Sequence, residues 1–529
     1  MVDLASFAGP FLPELLLFAG VLVVFLLDVA GLRRIELVGS VAVAATLLAL
    51  LFVVADLGFA PLAGLATVPA SRINAAAGTT PLYTFTTLGF VFQGIFLLAA
   101  FFVSLASMSR PSNERGAPIF YGLLLLATLG MLLVTIASDL IFLLLSIEVT
   151  SVATYLLVAY TRKDVRSLEA SMKFYIIGAL STTLSFFGAS LLYGAYGTTN
   201  LYAIRAVAGA VGYPVLVLLG YGFLMAGLGF KATLVPFHAW AVDVYDGAPT
   251  DVTAFLTGAS KKVGLFAFFL VFLGPVLFLA PAAGGSPFSG GTVNLGPIIQ
   301  VALSVLAVVT MTVGNILALL QKEMKRMLAY SSISQAGYML IGIAVGTSPA
   351  LAGATLQMFA HVFMKTGAFL VVAGAAALGI GPLIDDWKGL GTRRPLLGVA
   401  FGLMLLSLAG VPLTIGFVSK FVLFSAAVQA RGYFVWLAVA GLLNSALSVF
   451  YYARVLKVMF FDRAEPAPTP AGAVVGGSGP PVLPAGGLGY ARATAIAIIA
   501  VAIVAIGIYP QVVLGPIQSA AQHFLAAGA

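Results

Sequence analysis

The chain has 529 residues, of which 61% are hydrophobic and only 8% are charged, and its formal net charge is +8. A soluble domain carries about 25% charged residues, so this composition excludes a soluble fold and predicts an all-α integral membrane protein. The positive charge does not indicate nucleic-acid binding, because the basic residues lie in short loops between apolar segments and not along one stripe.

Runs of about 20 apolar residues predict fourteen transmembrane helices. The first begins at Phe11, and we predict a membrane span there and not a cleavable signal peptide, because the stretch lacks a preceding basic region and is long enough to cross a bilayer. The predicted helices are 11–30, 35–55, 85–107, 118–137, 139–160, 168–196, 210–232, 250–280, 296–320, 327–345, 350–379, 396–430, 432–460 and 491–513.

The loops between these helices alternate between many and few basic residues. Lys and Arg accumulate on the cytoplasmic side of short connections, which predicts that both termini lie outside the cell's plasma membrane. The predicted outer loops hold Arg72, Arg205 and Arg431. The predicted inner loops hold Arg33, Arg34, Arg110, Arg115, Arg162, Lys163, Arg166, Lys322, Lys325, Arg326, Lys388, Arg393, Arg394, Arg454, Lys457, Arg463 and Arg492. The remaining basic residues are lysines within predicted helices: Lys173, Lys231, Lys261, Lys262, Lys365 and Lys420.

Two predicted helices, the seventh and the twelfth, are interrupted near a buried lysine. Pro236 follows Lys231, and Pro412 precedes Lys420. Broken helices in corresponding positions of two halves are typical of inverted-repeat transporters. Because five helices separate the two breaks, we predict inverted repeats of helices 4–8 and 9–13. The predicted divisions are 1–114 (helices 1–3), 115–280 and 296–460 (the repeats), 461–490 (a flexible inner loop) and 491–529 (helix 14 and a tail).

Glu148 lies nine residues past Asp139, where the fifth helix opens, and therefore about 13 Å deep at a rise of 1.5 Å per residue. An ionisable side chain at this depth is costly and is by default a functional candidate. The simpler interpretation is a carboxylate that pairs with one lysine to lock two helices together. A proton relay accounts for more of the lysines.

Lysine suits a proton relay because burial away from water lowers the pKa of its amine towards neutral pH, so that the amine can bind and release a proton. Lys261 and Lys173 are expected to flank Glu148 and Lys231, although Lys173 is close enough to the inner end to snorkel. Neighbours on a helix point about 100° apart, so we expect only Lys261 of the adjacent pair to face the interior. Lys262 is expected to snorkel or to contact a neighbouring subunit.

Two histidines are further relay candidates. His238 follows the break of the seventh helix and is either a titrating connector or a hydrogen-bonded structural residue. His361 and Lys365, four residues apart on one face, would continue the relay toward Lys420. Metal binding is not expected, since no other ligand is in reach by sequence.

Three carboxylates near the inner start of helix 8 are expected to cap that helix or to pair with inner lysines: Asp243, Asp246 and Asp251.

Four of these stretches closely resemble the subunit N family of respiratory complex I. The similarity is carried by Lys-Ala-Thr-Leu-Val-Pro-Phe-His-Ala-Trp within 231–250, Ser-Lys-Lys-Val at 260–263, Met-Lys-Arg-Met-Leu-Ala-Tyr-Ser-Ser within 324–338 and Gly-Val-Pro-Leu-Thr-Ile-Gly at the start of 410–420. The similar region covers about 115 to 460. By this resemblance Glu148 and Lys231 would form a glutamate–lysine pair, Lys173 would stand beside it, Lys261 would be the central lysine and Lys420 the terminal one.

The resemblance implies a proton-translocating subunit of NADH-quinone oxidoreductase. No redox centre is expected in this chain, which has no cysteine; NAD, FMN, iron–sulfur clusters and quinone would belong to partner subunits. The implied partners are membrane subunits of the A, H, J, K, L and M types, the peripheral redox arm and the lipid bilayer. The 361–369 stretch is partly similar to subunits L and M and to Mrp-type antiporters, so an Mrp-type Na⁺/H⁺ antiporter subunit is an alternative. Others are a ferredoxin-, deazaflavin- or hydrogen-linked complex, and a subunit that only scaffolds the membrane arm.

Overall fold

The computed structural model describes residues 9–68, 81–110, 116–161, 164–207, 213–273, 295–463 and 488–526. Within these ranges the chain is helical, and the only β-type pairings are three isolated bridges. Thirteen helices are long and apolar enough to cross a membrane, and two shorter apolar helices follow one another as the halves of a further crossing. The predicted all-α membrane architecture is confirmed.

The fourteen crossings found in the described residues match the predicted helices closely at most ends. They are α1 (Leu12–Val29), α2 (Ile35–Asp56), α3 (Thr87–Ser107), α4 (Ala117–Thr135), α5 (Leu140–Val158), α6 (Val165–Tyr196), α7a (Pro214–Lys231) with α7b (Ala239–Gly247), α8 (Thr250–Leu273), α9 (Leu295–Leu320), α10 (Met324–Val345), α11 (Ser348–Ala377), α12a (Pro395–Ala409) with α12b (Ile415–Gln429), α13 (Phe434–Phe460) and α14 (Tyr490–Ile508).

Some predictions lie outside the described residues. These are the end of helix 8 beyond 273, most of the inner loop at 461–490, and the loop residues Arg72, Arg115, Arg162 and Lys163. The inverted relation of the two five-helix repeats stays a prediction. The end of the bundle that carries Arg110, Arg166, Lys322 and Arg454 is called the basic end below.

The bundle has a central group of helices that is enclosed by protein. In the apolar windows of α8 and α10, 94% of the residues are buried, and in that of α11 89% are, whereas the figures for α1 and α14 are 33% and 28%. Side chains on α8, α10 and α11 therefore face other helices in nearly every direction. Polar groups on these helices must find partners inside the protein.

Both predicted helix breaks are present. α7a ends at Lys231, and seven residues that include Pro236 separate it from α7b. α12a ends at Ala409, and Gly410 adopts a left-handed conformation with φ of +93° before α12b begins. Each break leaves backbone carbonyl groups at a helix end without the next turn to bind, beside a buried lysine.

π-Helical turns interrupt α8 and α11 where their buried cations lie. In α8 the turn is Leu256–Ser260, directly before Lys261, and in α11 it is Val362–Thr366, directly after His361. The two turns are adjacent in space, and the Thr366 hydroxyl lies 3.4 Å from the Ala254 carbonyl oxygen. Such turns are rare and are frequent at functional sites.

The expected C-terminal tail contains a helix, α15 (Gln511–Ala526), which the sequence prediction missed. Its buried residues Leu514, Ile517, Ala520 and Ala521 form one apolar stripe, and it packs on α3 and α11 at the end opposite the basic end. Its exposed face is mostly polar but includes Val512, and at 16 residues the helix is shorter than a typical membrane span of about 20 residues.

A buried ion cluster joins three helices at the basic end. Arg110 Nε lies 2.6 Å from Asp251 Oδ2, and Arg492 Nη2 lies 3.4 Å from the same oxygen. The Arg110 guanidinium also stacks over the Phe120 ring at 4.2 Å. The expectation that Asp251 caps α8 or pairs with a lysine was wrong, because two arginines from α14 and the end of α3 reach it.

Replacing Asp251 with asparagine is expected to destabilise the protein strongly. Removing one partner of a buried ion pair costs about 3–5 kcal/mol, because it leaves uncompensated charge. Thermal unfolding of the purified protein measures the loss. The matched control is Asp28→Asn, which breaks an exposed pair with Arg33 and should cost at most about 1 kcal/mol. Equal losses in the two variants would contradict a structural role for the cluster.

Candidate functional site

Glu148 and Lys231 meet at a small cavity between α5, α6 and α7a. The Thr182 hydroxyl donates a hydrogen bond to Glu148 Oε1, and Lys231 Nζ donates one to Ser151 Oγ at 3.0 Å. The cavity leaves about 20 Å³ for the centres of water molecules, enough for about one water. In the described part of the chain no salt bridge joins Glu148 to Lys231. The two groups therefore share a cavity, and each is hydrogen-bonded to a hydroxyl group that also lines it.

The break of α7 fixes the position of Lys231. The last turn of α7a exposes the Phe230 carbonyl oxygen, which accepts from Trp240 Nε1 at 3.2 Å and from the Thr233 amide at 3.0 Å. α8 packs directly against this break, since a Cβ at Gly264 would lie 2.5 Å from the Ala232 nitrogen. Glycine is required there by the close approach of the two backbones. Lys261, one turn before Gly264, is thereby placed next to the break.

Both adjacent lysines of α8 are buried, which corrects the expectation that only one faces the interior. Lys261 Nζ donates to the carbonyl oxygen of Ser332 and, at 2.7 Å, to its hydroxyl. Lys262 Nζ donates to the Thr257 and Gly258 carbonyl oxygens of the π-helical turn and lies 3.3 Å from His361 Nδ1. Because α8 is enclosed on all sides, directions about 100° apart both lead into protein, and Lys262 has no route to lipid.

Lys365 continues this group of polar contacts on α11. Its Nζ donates to the Ser331 hydroxyl and, at 2.9 Å, to the Leu328 carbonyl oxygen. Ser331 and Ser332 are neighbours on α10, so Lys261 and Lys365 bind adjacent hydroxyl groups of one helix. α10 thus connects the cations of α8 with those of α11.

Amide side chains lead from α10 towards the break of α12. Gln357 Nε2 donates to Gln335 Oε1 at 2.7 Å, and the Ser419 hydroxyl donates to Gln357 Oε1. Gln335 lies one turn beyond Ser331. Ser419 is the neighbour of Lys420, so this chain of hydrogen bonds ends beside the last buried lysine.

Lys420 closes the break of α12. Its Nζ donates to the Leu408 and Ala409 carbonyl oxygens at 2.9 and 3.1 Å and to the Ser445 hydroxyl at 2.9 Å. An ammonium group is favoured at a helix C-terminus by the exposed carbonyl groups and the helix dipole. A Cβ at Gly410 would lie 3.1 Å from Lys420 Cδ, so glycine both permits the positive φ and leaves room for the lysine stem.

These lysines share an unusual set of partners. Among the described residues no carboxylate forms a salt bridge with a member of this group; hydroxyl, backbone carbonyl and imidazole groups contact their Nζ atoms. Neutral acceptors bind an ammonium and also a neutral amine, which still has N–H groups to donate. A proton can therefore leave without breaking an ion pair. The group, called the lysine file below, consists of Lys231, Lys261, Lys262, Lys365 and Lys420.

Two predicted site residues lie apart from the lysine file. Lys173 is 43% exposed and pairs with Glu169 at 2.8 Å and Asp243 at 3.1 Å, at a cavity near the basic end. It does not contact Glu148, because it lies nine residues nearer the basic end than Thr182, the α6 residue that binds that carboxylate. The half-buried His238 occupies the N-cap position of α7b without a side-chain capping bond, and within the described structure its Nδ1 has no hydrogen-bond partner.

Sequence reasoning missed the neutral residues that connect the lysines, because it searched apolar spans for ionisable groups. A signal was present in Tyr-Ser-Ser-Ile-Ser-Gln at 330–335, a polar run within a predicted helix. The residues concerned are Ser151, Thr182, Ser331, Ser332, Gln335, Gln357, Ser419 and Ser445.

Comparisons with known proteins agree with this geometry. Residues 137–448, which include Glu148 and the whole lysine file, match the family described as NADH:quinone oxidoreductase/Mrp antiporter, TM. The chain is 40% identical to F(420)H(2) dehydrogenase subunit N of Methanosarcina mazei over 86% of its own length and 89% of that protein. It is 42% identical to NADH-quinone oxidoreductase subunit N of Trichlorobacter lovleyi over 71% of its length and 74% of that protein.

The fold is also that of a solved respiratory enzyme chain. A chain of respiratory complex I from Thermus thermophilus, determined with bound aureothin, superposes with a TM-score of 0.72 at 29% identity over 95% of this chain and 98% of the other. The chain therefore belongs to the NADH:quinone oxidoreductase/Mrp antiporter transmembrane family, and its relatives named above are subunit N proteins.

Proposed function

We propose that this chain is a proton-translocating membrane subunit of a quinone-reducing respiratory complex, as subunit N of NADH-quinone oxidoreductase. The observation that carries the proposal is the lysine file, which runs from the break of α7 to the break of α12 through the enclosed helices α8, α10 and α11. Five buried cations without carboxylate partners are too costly to keep for packing alone. The neutral hydrogen-bond acceptors around these lysines allow each amine to bind and release a proton without breaking an ion pair.

In the proposed cycle, a charge shift in a partner subunit changes the charge near Glu148. Lys231, which shares its cavity, then releases or binds a proton. The proton passes to the pair Lys261 and Lys262, from there through His361 and Lys365, and finally to Lys420. Lys262 and His361 lie within direct hydrogen-bond distance of each other, at 3.3 Å, whereas the other transfers are proposed to use the serine and glutamine side chains described above and intervening water. Lys173 and His238 are proposed to serve the entry side.

Electron transfer is assigned to partner subunits. NAD, FMN, iron–sulfur clusters and quinone would bind there. The cysteine ligands of an iron–sulfur cluster would come from a partner, since this chain has no cysteine. The proposed partners are membrane subunits of the A, H, J, K, L and M types. We place the basic end at the cytoplasmic face of the plasma membrane, because basic loops remain on that side.

A specific observation favours a second electron donor. The M. mazei relative, F(420)H(2) dehydrogenase subunit N, matches 86% of this chain at 40% identity. A complex that oxidises F420H2 in place of NADH would need the same proton path, because the path does not include the donor site. The ferredoxin- and hydrogen-linked alternatives share this property. An independent Na⁺/H⁺ antiporter of the Mrp type is the remaining alternative.

The test is to purify the complex through a tag on this chain. We expect flavin and iron–sulfur absorbance to co-purify, and electron transfer from NADH or F420H2 to quinone to acidify the lumen of reconstituted vesicles. A protonophore should abolish acidification, whereas a sodium ionophore should not. Recovery without any redox subunit, together with sodium-dependent proton exchange, would support the Mrp alternative and refute the proposal.

A further inference from the structure

Two cavities lie along α6 at different depths. The cavity near the basic end has a volume of about 130 Å³ and is lined by charged residues that include Glu169, Lys173 and Asp243. The second is the Lys231 cavity, lined on α6 by Ser181 and Thr182. From Lys173 to Ser181 is eight residues along α6, about 12 Å at the helical rise. Protons can reach Lys231 from the basic end only if the region between the two cavities contains water or polar groups.

That space is filled by four aromatic rings, called the ring layer below: Tyr155, Phe174, Phe230 and Trp240. Phe174 and Trp240 stack with their centroids 4.4 Å apart and their planes within 7°. Tyr155 meets Phe174 edge-on at 4.6 Å, and Phe230 lies 4.7 Å from Trp240. All four residues are buried, with at most 6% of their surface exposed.

The ring layer is bounded by both cavities. Phe174 is the neighbour of Lys173, and Trp240 lies three residues before Asp243, whereas Tyr155 and Phe230 line the Lys231 cavity itself. Water needs polar partners to occupy such a space, and closely packed rings offer few. Apolar constrictions of this kind stop the passage of water and ions until they widen.

One hydrogen bond connects the ring layer to the lysine file. Trp240 Nε1 donates to the Phe230 carbonyl oxygen at 3.2 Å, and Phe230 directly precedes Lys231. Trp240 belongs to α7b, on the other side of the break. A movement of the last turn of α7a would therefore pull on the indole and change the stacking against Phe174.

We propose that the ring layer is a dry barrier between the basic-end cavity and the Lys231 cavity, and that Trp240 is its positioning residue, opening the barrier when the α7a end moves. The inference rests on the proposed function, which it deepens by naming the element that prevents back-flow of protons. If water continuously connected the basic-end cavity with Lys231, protons could flow back through the lysine file without driving electron transfer.

The absence of cysteine allows a direct test, because one introduced cysteine reports only on its own position in this chain. Ser181→Cys reports the Lys231 cavity and Arg166→Cys reports the basic-end cavity. In vesicles of the whole complex, a membrane-impermeant thiol reagent added at the basic end should label Arg166→Cys rapidly and Ser181→Cys slowly. Adding Trp240→Ala should accelerate labelling at Ser181→Cys about tenfold, since labelling follows the population of the open state.

Two further variants separate the ring from its hydrogen bond and from general damage. Trp240→Phe retains a ring without the N–H group and should give a smaller increase. Trp436→Ala removes an indole that is 74% exposed on α13 and should change nothing. Should Trp240→Ala fail to assemble, Phe174→Leu opens the same layer and is expected to accelerate labelling.

The proposal is overturned if Ser181→Cys labels as fast as Arg166→Cys in the presence of Trp240, or if neither ring variant accelerates labelling in an assembled complex. Passive proton conductance of the same vesicles gives a second readout, which should rise in Trp240→Ala and stay unchanged in Trp436→Ala. Labelling does not depend on pumping. A failure of the proposed proton path would therefore leave the labelling result intact, and the two failures are distinguishable.

Discussion

Replacing Lys231 with alanine is expected to abolish proton pumping and to slow the coupled electron transfer while the complex still assembles. The variant removes the one amine that lines the Glu148 cavity among the described residues and leaves the Ser151 hydroxyl without its donor. Loss of a positioned proton carrier lowers a rate by about a hundredfold or more. Acidification of vesicles, measured alongside quinone reduction, gives both rates.

The matched control is Lys457→Ala, which removes an exposed lysine from α13 and should leave both rates at the parental level. Lys231→Arg keeps the positive charge but holds its proton at all accessible pH values, so it should be as inactive as alanine. Parental pumping in Lys231→Ala would exclude this lysine from the proton path. It would favour a subunit that only scaffolds the membrane arm.

Lys262→Met is expected to reduce pumping about tenfold or more, although sequence reasoning assigned Lys262 no role in the relay. Methionine fills much of the lysine volume and removes the amine that contacts His361 and the π-helical turn of α8. Loss of pumping with normal assembly would place Lys262 in the proton path. The measurement is protons moved per electron pair, compared with Lys322→Met, an exposed lysine that should have no effect.

A reduction in assembly without a change in protons per electron pair would give Lys262 a structural role instead. Combining the change with His361→Gln resolves the remaining ambiguity. If the two residues exchange a proton with each other, the double variant should lose no more than either single one. Additive losses would assign them to separate steps.

The membrane architecture could be predicted because the crossings are apolar runs. The break of α7 could be predicted because Pro236 follows closely after Lys231, a charged residue that is unfavourable at a lipid-facing position. These predictions relied on two strong local signals, apolar length and the cost of buried charge. The pairing of Glu148 with Lys231 was implied by the resemblance to the subunit N family, and the two residues line one cavity.

The failures have equally local causes. Lys262 was placed outside the interior by an argument that assumes one protein-facing side per helix, and α8 has protein on every side. Lys173 was placed beside Glu148 because only its span was known, whereas its depth and the carboxylate of Asp243 decide its partner. The serines and glutamines between the lysines carry no charge and so gave no signal, although they make the connections.

Because of the π-helical turns, the positions of the buried lysines depend on the exact number of residues in these turns. A π-helical turn is equivalent to one residue inserted into an α-helix, so deleting one residue from Leu256–Ser260 would restore regular winding. Every side chain on one flank of the deletion would then rotate by about 100° relative to the other flank. Lys261 and Lys262 would lose Ser332 and His361 as partners although none of these four residues is changed. Related chains that lack this extra residue would need their buried cations one position away in the sequence.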